Sequence, residues 1–282
     1  MLDELLKAAA LMTALTFVFG VLLAFANLHF RVEEDPRLAR VSELLGGSNC
    51  GACGKPGCGP FARALLSGEV DPAQCTVSPK AAIAEIAALL GVEQGAVDKR
   101  VARLHCAGGR SAVRVLARYE GSPTCAAAAL SQHGGRSCSY GCLGLGDCER
   151  ACGFGAIRMN EEGLPEVDPE RCTACGDCVS ACPARLFSLE PLNHRVLLQC
   201  SSPLVGDAAR ASCAVACDGC GRCVQDAPAG LMEMRAGLPH QHQPARTPER
   251  STYRCPSGAL QWVEAEQLSY DVPVSALRRH YG

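Results

Sequence analysis

The stretch from Ala8 to Phe30 carries no charged side chain. About 20 apolar residues in a helix cross the roughly 30 Å hydrocarbon layer of a bilayer, so this pattern predicts one transmembrane helix and makes residues 1–31 an anchor. Ala24-Phe25-Ala26 resembles a signal-peptide cleavage site, but Met1 to Lys7 sets Asp3 and Glu4 against a single lysine, where a secretory signal is positive. Arg31, Arg37 and Arg40 follow the apolar stretch. Basic residues at a membrane end favour the cytoplasmic side, which predicts a single-pass protein of the inner membrane with its bulk in the cytoplasm.

Beyond the anchor the patterning changes several times. Residues 41–91 combine a Gly/Cys-rich loop with Ala/Leu-rich helical sequence, in which Ser78-Pro79 predicts the start of a helix from Lys80 to Leu90. Residues 92–136 read as a basic bridge. Two Cys/Gly-rich blocks follow, 137–191 and 197–263, and the tail 264–282 has no readable motif. The blocks echo one another: Cys138-x3-Cys142 is repeated as Cys213-x3-Cys217, and each block ends in a Cys-Pro, at Cys182-Pro183 and Cys255-Pro256. Such self-similarity predicts duplication of one structural unit.

Composition sharpens this picture at one point. Twenty cysteines stand against a single Trp in 282 residues, so large apolar side chains cannot be what organises most of the chain. A net charge of −2 says little about partners. In a reducing cytoplasm disulfides do not persist while metal thiolates do.

Cys172-x2-Cys175-x2-Cys178-x3-Cys182-Pro183 has the spacing of bacterial ferredoxins, where three cysteines hold one [4Fe-4S] cubane and the fourth reaches another. Zinc sites come instead as two separated cysteine pairs. The mate lies upstream in Cys138-x3-Cys142-x5-Cys148-x3-Cys152, with Ile157 at the start of the following strand. This mate is irregular, because Leu145 stands where the middle cysteine is expected. Cys138 is assigned the missing role, which gives one cluster on Cys138, Cys142, Cys148 and Cys182 and a second on Cys152, Cys172, Cys175 and Cys178.

In the second block Cys217, Cys220, Cys223 and Cys255 form one complete ligand set. The complementary set is replaced throughout by Ala227, Ala245, Pro248 and Ser251, so this block keeps one cluster of two. Near the membrane, Cys50-x2-Cys53-x4-Cys58-x16-Cys75 with interleaved glycines predicts another cluster, since glycine lets backbone N–H groups approach the sulfides. A structural zinc site is the alternative there. Cys106, Cys125, Cys200 and Cys213 remain, the number a fifth cubane requires; buried free thiols are the alternative. Because Cys213 repeats the position of Cys138, either of those two serves as the irregular ligand while the other joins the fifth group.

The run Asn49 to Gly59, Asn-Cys-Gly-Ala-Cys-Gly-Lys-Pro-Gly-Cys-Gly, after one apolar helix and before tandem ferredoxin motifs, resembles the B subunit of Rnf-type complexes in its long, cysteine-rich form. The resemblance covers residues 1 to about 260. It implies an electron-transfer subunit in a membrane complex that oxidises reduced ferredoxin, reduces NAD through other subunits, and translocates Na+ or H+. An electron-transfer component of a different membrane oxidoreductase and a membrane-bound redox sensor are the alternatives. The chain has no nucleotide-binding glycine fingerprint of its own, since Gly144 and Gly146 lie inside a cysteine loop. Lys99, Arg100, Arg103, Arg110, Arg114 and Arg118 have no acid between them and offer a docking surface for an acidic ferredoxin, or else a solvated helix face. Nucleic acid is excluded as a partner by the slightly acidic total and few aromatics. The fold class expected is α+β: the transmembrane helix, a small helical 4Fe-4S domain, and tandem ferredoxin-like units of βαβ type.

Overall fold

The computed structural model describes residues 2–30, 35–95, 99–264 and Gln267. Arg31 and almost all of the predicted tail lie outside the described residues. Helix α1 runs Leu2–His29, and its apolar span Leu6–His29 is entirely unburied by the rest of the chain. At about 1.5 Å per residue those 24 residues extend roughly 36 Å, enough to cross a bilayer with some tilt.

A small helical domain follows. α2 (Pro36–Leu44) starts with proline in its first turn, and the Asp35 carboxylate accepts from the Arg37 N–H, a cap worth about 1 kcal/mol. α3 (Cys58–Leu66) and α4 (Lys80–Leu90) complete it. α4 has the predicted bounds, set by Pro79 before it and by Gly91, which takes the left-handed conformation at φ 68° after it. Val41, Leu45, Phe61, Leu65 and Ile86 form the core, with Cys53, Cys58 and Cys75 packed against it.

Two units then repeat one plan of strand, cysteine loop with a short helix, hairpin, cysteine segment and closing strand. The first comprises β1 (Arg100–Leu104), α5 (Cys125–Ala129), α6 (Asp147–Ala151), β2 (Ile157–Met159), β3 (Pro165–Val167), α7 (Asp177–Ala181) and β4 (Phe187–Pro191). The second comprises β5 (Val196–Leu198), α8 (Gly206–Ser212), α9 (Arg222–Asp226), β6 (Met232–Arg235), β7 (Leu238–Gln241) and β8 (Leu260–Trp262). In each, the first and last strands pair, β1 with β4 and β5 with β8, while β2–β3 and β6–β7 are hairpins; all four pairings are antiparallel. The architecture is α+β, and β2 begins at Ile157 as expected.

The basic bridge over 92–136 is corrected. Its residues 100–104 are β1, in register with β4 from Arg100↔Pro191 to Leu104↔Phe187, so the first unit begins well before residue 137. Val101, Ala102, Arg103 and Leu104 are all buried. An arginine inside a strand whose four inner positions are all covered hides the two-residue alternation that normally reveals a half-buried strand.

Candidate iron–sulfur centres

Helices α6 and α7 position thiols for two adjacent cavities. Each is a five-residue helix with a cysteine in its first turn and another at its C-cap, Cys148 and Cys152 on α6, Cys178 and Cys182 on α7. One turn of helix separates the two sulfurs, so each helix contributes one thiol to either cavity. Cys152, Cys172, Cys175 and Cys178 line one cavity with Thr173, Ala174 and Gly176, the set predicted from spacing. Ala174 at φ 56° and Gly176 at φ 92° bend the loop so that its sulfurs converge.

The other cavity departs from expectation. It is lined by Cys125, Cys142, Cys148 and Cys182, and Cys138 is not among them. Cys125 opens α5, capped by the Thr124 hydroxyl accepting from Ala127 N–H at 3.2 Å. The Asp147 carboxylate at the start of α6 accepts from the Ala126 N–H at 3.0 Å, which clamps α5 beside α6. Cys125 thereby fills the place that Leu145 leaves empty. Leu145 itself packs with Leu143 and Ala128 against Cys125.

Cys138 instead joins Cys106, Cys200 and Cys213 around a third cavity, with Arg136, Gly108 and Gly141 in its wall. The cavity thus brings together Cys106, Cys138, Cys200 and Cys213 where the sequence grouped Cys106, Cys125, Cys200 and Cys213, and both Cys138 and Cys213 line it. The arrangement follows the repeat. Cys106 lies two residues after β1 and Cys200 two residues after β5, while Cys138 and Cys213 are the equivalent positions before each first cysteine loop. A Cβ added to Gly108 would stand 3.1 Å from the Cys213 sulfur and 3.6 Å from that of Cys106, so the glycine is what admits both.

Cys255 packs against the buried cluster that holds Cys217 and, on its other side, with Cys223; burial raises the Cys220 thiol and the charge of Cys255 adds to that rise. Of the replaced set, Ser251 is fully buried, so packing occupies that second position. Cys50, Cys53, Cys58 and Cys75 line a cavity of their own beneath Phe61. There Asn49, left-handed at φ 49°, accepts from the Cys58 N–H at 2.8 Å and fixes the start of α3.

The donor sets fit [4Fe-4S] clusters. Backbone N–H groups aim at sulfurs from Cys142 to Cys106 at 3.3 Å, Ala156 to Cys152 at 3.3 Å, Leu186 to Cys182 at 3.4 Å and Leu260 to Cys255 at 3.4 Å. Such dipoles favour a negatively charged sulfur cage. Burial pushes the thiols of Cys148, Cys178 and Cys217 up to about 12 and that of Cys106 up to about 11, with the charges of neighbouring cysteines adding to the rise. Four such groups become thiolates together only when cations discharge their repulsion, which is what bound iron does.

The basic series divides. Arg103 is 2% exposed and belongs to the core, where burial lowers its pKa. Lys99 pairs with Glu170 at 3.3 Å and Arg100 donates to the Leu189 carbonyl. Arg110, Arg114 and Arg118 are exposed, beside exposed Val115 and Leu116. Because residues 100–104 are a strand and Arg110 to Arg118 form no helix, the solvated-helix alternative does not hold.

Thiol-lined cavities on a duplicated strand–loop–hairpin–loop–strand unit define the class, an iron–sulfur protein of ferredoxin type. Two family profiles match, one described as "Putative Fe-S cluster" over residues 45–77 and one as "4Fe-4S dicluster domain" over residues 137–186. The chain is 35% identical over 234 residues to the B subunit of the ion-translocating oxidoreductase complex of Methanosarcina acetivorans, covering 83% of this chain and 89% of that one. It is 36% identical to the B subunit of the proton-translocating ferredoxin:NAD(+) oxidoreductase complex of Clostridium ljungdahlii, over 77% of this chain and 76% of that one. It is 40% identical to the B subunit of the Na(+)-translocating ferredoxin:NAD(+) oxidoreductase complex of Acetobacterium woodii, over 77% of this chain but only 65% of that longer one. The chain belongs to the B-subunit family of ion-translocating, Rnf-type oxidoreductase complexes.

Proposed function

We propose that this chain is the iron–sulfur relay of an Rnf-type complex, taking electrons from reduced ferredoxin and passing them through five [4Fe-4S] clusters toward membrane and flavin subunits. The complex then reduces NAD and moves Na+ or H+ across the membrane. α1 holds the protein to the inner membrane with its cluster domains on the cytoplasmic side. The ligand sets are Cys50/Cys53/Cys58/Cys75, Cys152/Cys172/Cys175/Cys178, Cys125/Cys142/Cys148/Cys182, Cys106/Cys138/Cys200/Cys213 and Cys217/Cys220/Cys223/Cys255.

The observation that carries this reading is contiguity. The Thr76 hydroxyl, next to Cys75, donates to the carbonyl of Thr173, next to Cys172, at 2.6 Å. Cys148 and Cys178 lie in one buried cluster with Cys152 and Cys182 packed against it, which joins the crossed pair. Cys142 lines both its own cavity and that of Cys106. Cys200, Cys213 and Cys217 share one buried cluster at the last junction. Each centre thus adjoins the next, in the order given above, which is what a relay requires and a single-cluster sensor does not.

Ferredoxin docks at Arg110, Arg114 and Arg118, whose charges rim the apolar Val115 and Leu116 beside the Cys138 loop; the Ser137 N–H donates to the Arg114 carbonyl at 2.9 Å. Interfaces of this make-up steer an acidic partner by charge and hold it by apolar contact. The test is anaerobic reduction of the fully loaded chain by dithionite-reduced ferredoxin, followed by electron paramagnetic resonance. Several interacting reduced clusters are expected. A loaded chain that ferredoxin leaves oxidised overturns the reading.

A further inference from the structure

One cluster of metal-ligating side chains stands apart from the cysteines. On the β6–β7 hairpin Glu233 lies directly opposite His240, and the His242 N–H donates to the Leu231 carbonyl at 2.9 Å, carrying the ladder two residues further. Side chains alternate across a strand, so positions 233, 240 and 242 share one face. One ligand atom from each, two imidazole nitrogens and a carboxylate oxygen, lie within 4.8 Å of one another. The histidine rings meet edge to face with centroids 5.4 Å apart. His242 Nε2 is 3.5 Å from Glu233 Oε2, while Arg235 donates to the other carboxylate oxygen, Oε1, at 2.7 Å.

We propose that Glu233, His240 and His242 form a solvent-facing site for a divalent first-row transition ion. Two imidazoles and one carboxylate are the donor set of borderline ions such as Zn2+ and Ni2+, and ions that take only oxygen ligands are disfavoured by the nitrogens. Bonds of about 2.0–2.2 Å bring donors to within roughly 3.5 Å of each other, a closure the exposed rings make by side-chain rotation alone. Arg235 orients the carboxylate and leaves Oε2 directed at His242, the outer contact that metal-binding carboxylates use. Water completes the coordination from the open side. The site is particular to the second unit: in the equivalent hairpin of the first, Arg158 faces Glu166 and no imidazole is present. The opposite face of β6 carries the buried Met232, packed with Cys223 of α9, so the site faces away from that helix.

The test uses the full chain, cluster-loaded and free of any histidine tag, titrated anaerobically with Ni2+ by calorimetry, with iron content measured before and after. One Ni2+ per chain is expected. The His240→Ala/His242→Ala double variant should lose this binding with iron content unchanged, and Glu233→Gln should weaken it by about tenfold or more, as loss of one ligand does. Unaltered iron shows that the variants are folded, so the result reads the site alone. Absence of Ni2+ binding to the unaltered chain, or equal binding by the double variant, overturns the proposal.

Discussion

The backbone N–H of Cys142 points at the sulfur of Cys106, 3.3 Å away. One residue therefore supplies a sulfur to its own cavity and a dipole to the next, so the third and fourth centres share a wall. Any substitution that moves this loop acts on both.

Iron arithmetic tests the ligand grouping. Cys125→Ser and Cys148→Ser should each remove about four irons, and the double variant no more than about four, because both thiols serve one cubane. Cys138→Ser with Cys148→Ser should remove about eight. Iron analysis of reconstituted protein that gave the larger loss for the first pair, or the smaller for the second, would restore the spacing-based assignment.

Cys255→Ala should also cost about four irons, while Ser251→Ala costs none. Ser251 is fully buried where a second cluster ligand would be, so its loss shows only in the melting temperature. The two variants are separated by electron paramagnetic resonance of the reduced protein.

Replacing Arg110, Arg114 and Arg118 together by Glu should slow reduction by ferredoxin most at low salt, since charges beyond roughly 8 Å are screened at physiological ionic strength. Arg103 is left out of this variant because its burial makes a reversal disruptive to the fold. Stopped-flow rates that stay unchanged at low salt would remove docking from this surface.

Deleting residues 1–30 should leave a brown protein in the soluble fraction. No thiol lies in that segment, and Leu6–His29 buries nothing against the cluster domains. Loss of iron on deletion would mean that α1 supports the fold.

His105 joins the two units: its ring nitrogens meet the Leu198 carbonyl at 2.9 Å and the Ser188 hydroxyl at 2.7 Å, with Glu190 at 3.5 Å. Burial alone would lower its pKa, but the bonds and charge of Glu190 raise it overall. Burial would raise the Glu190 pKa, but the hydrogen bonds from His105 and Ser188 and the charges of His105 and His194 bring it down to about 2. The histidine's contribution is therefore complete below its ordinary value of 6.5 and disappears as pH rises through its higher folded value. The glutamate's contribution is complete above 4.5 and disappears only as pH falls toward about 2. The loaded protein should melt lower at about pH 8 than at about pH 6, and His105→Gln should flatten that difference. An unchanged slope in the variant would assign the pH dependence elsewhere.

Local rules reached far along this chain. Hydropathy alone placed α1, Pro79 and Gly91 bounded α4, and the tight cysteine loops around Cys50, Cys172 and Cys217 were legible because three sulfurs a few residues apart can wrap only one cubane. Tertiary structure decided what spacing could not. Cys138 is the nearer to Cys142 in sequence and Cys125 the more remote, and which of them meets Cys142 depends on α5 being clamped to α6 through Asp147. That choice is made by packing over 21 residues of separation, where no periodicity operates. The same holds for β1, a strand recognised by its partner β4 rather than by its own alternation, and it turned Arg103 from an expected surface charge into part of the core. The repeat was visible in sequence, but only the folded pair of units brings Cys106, Cys138, Cys200 and Cys213 around one cavity, because four thiols drawn two from each unit have no common neighbourhood until both units are packed.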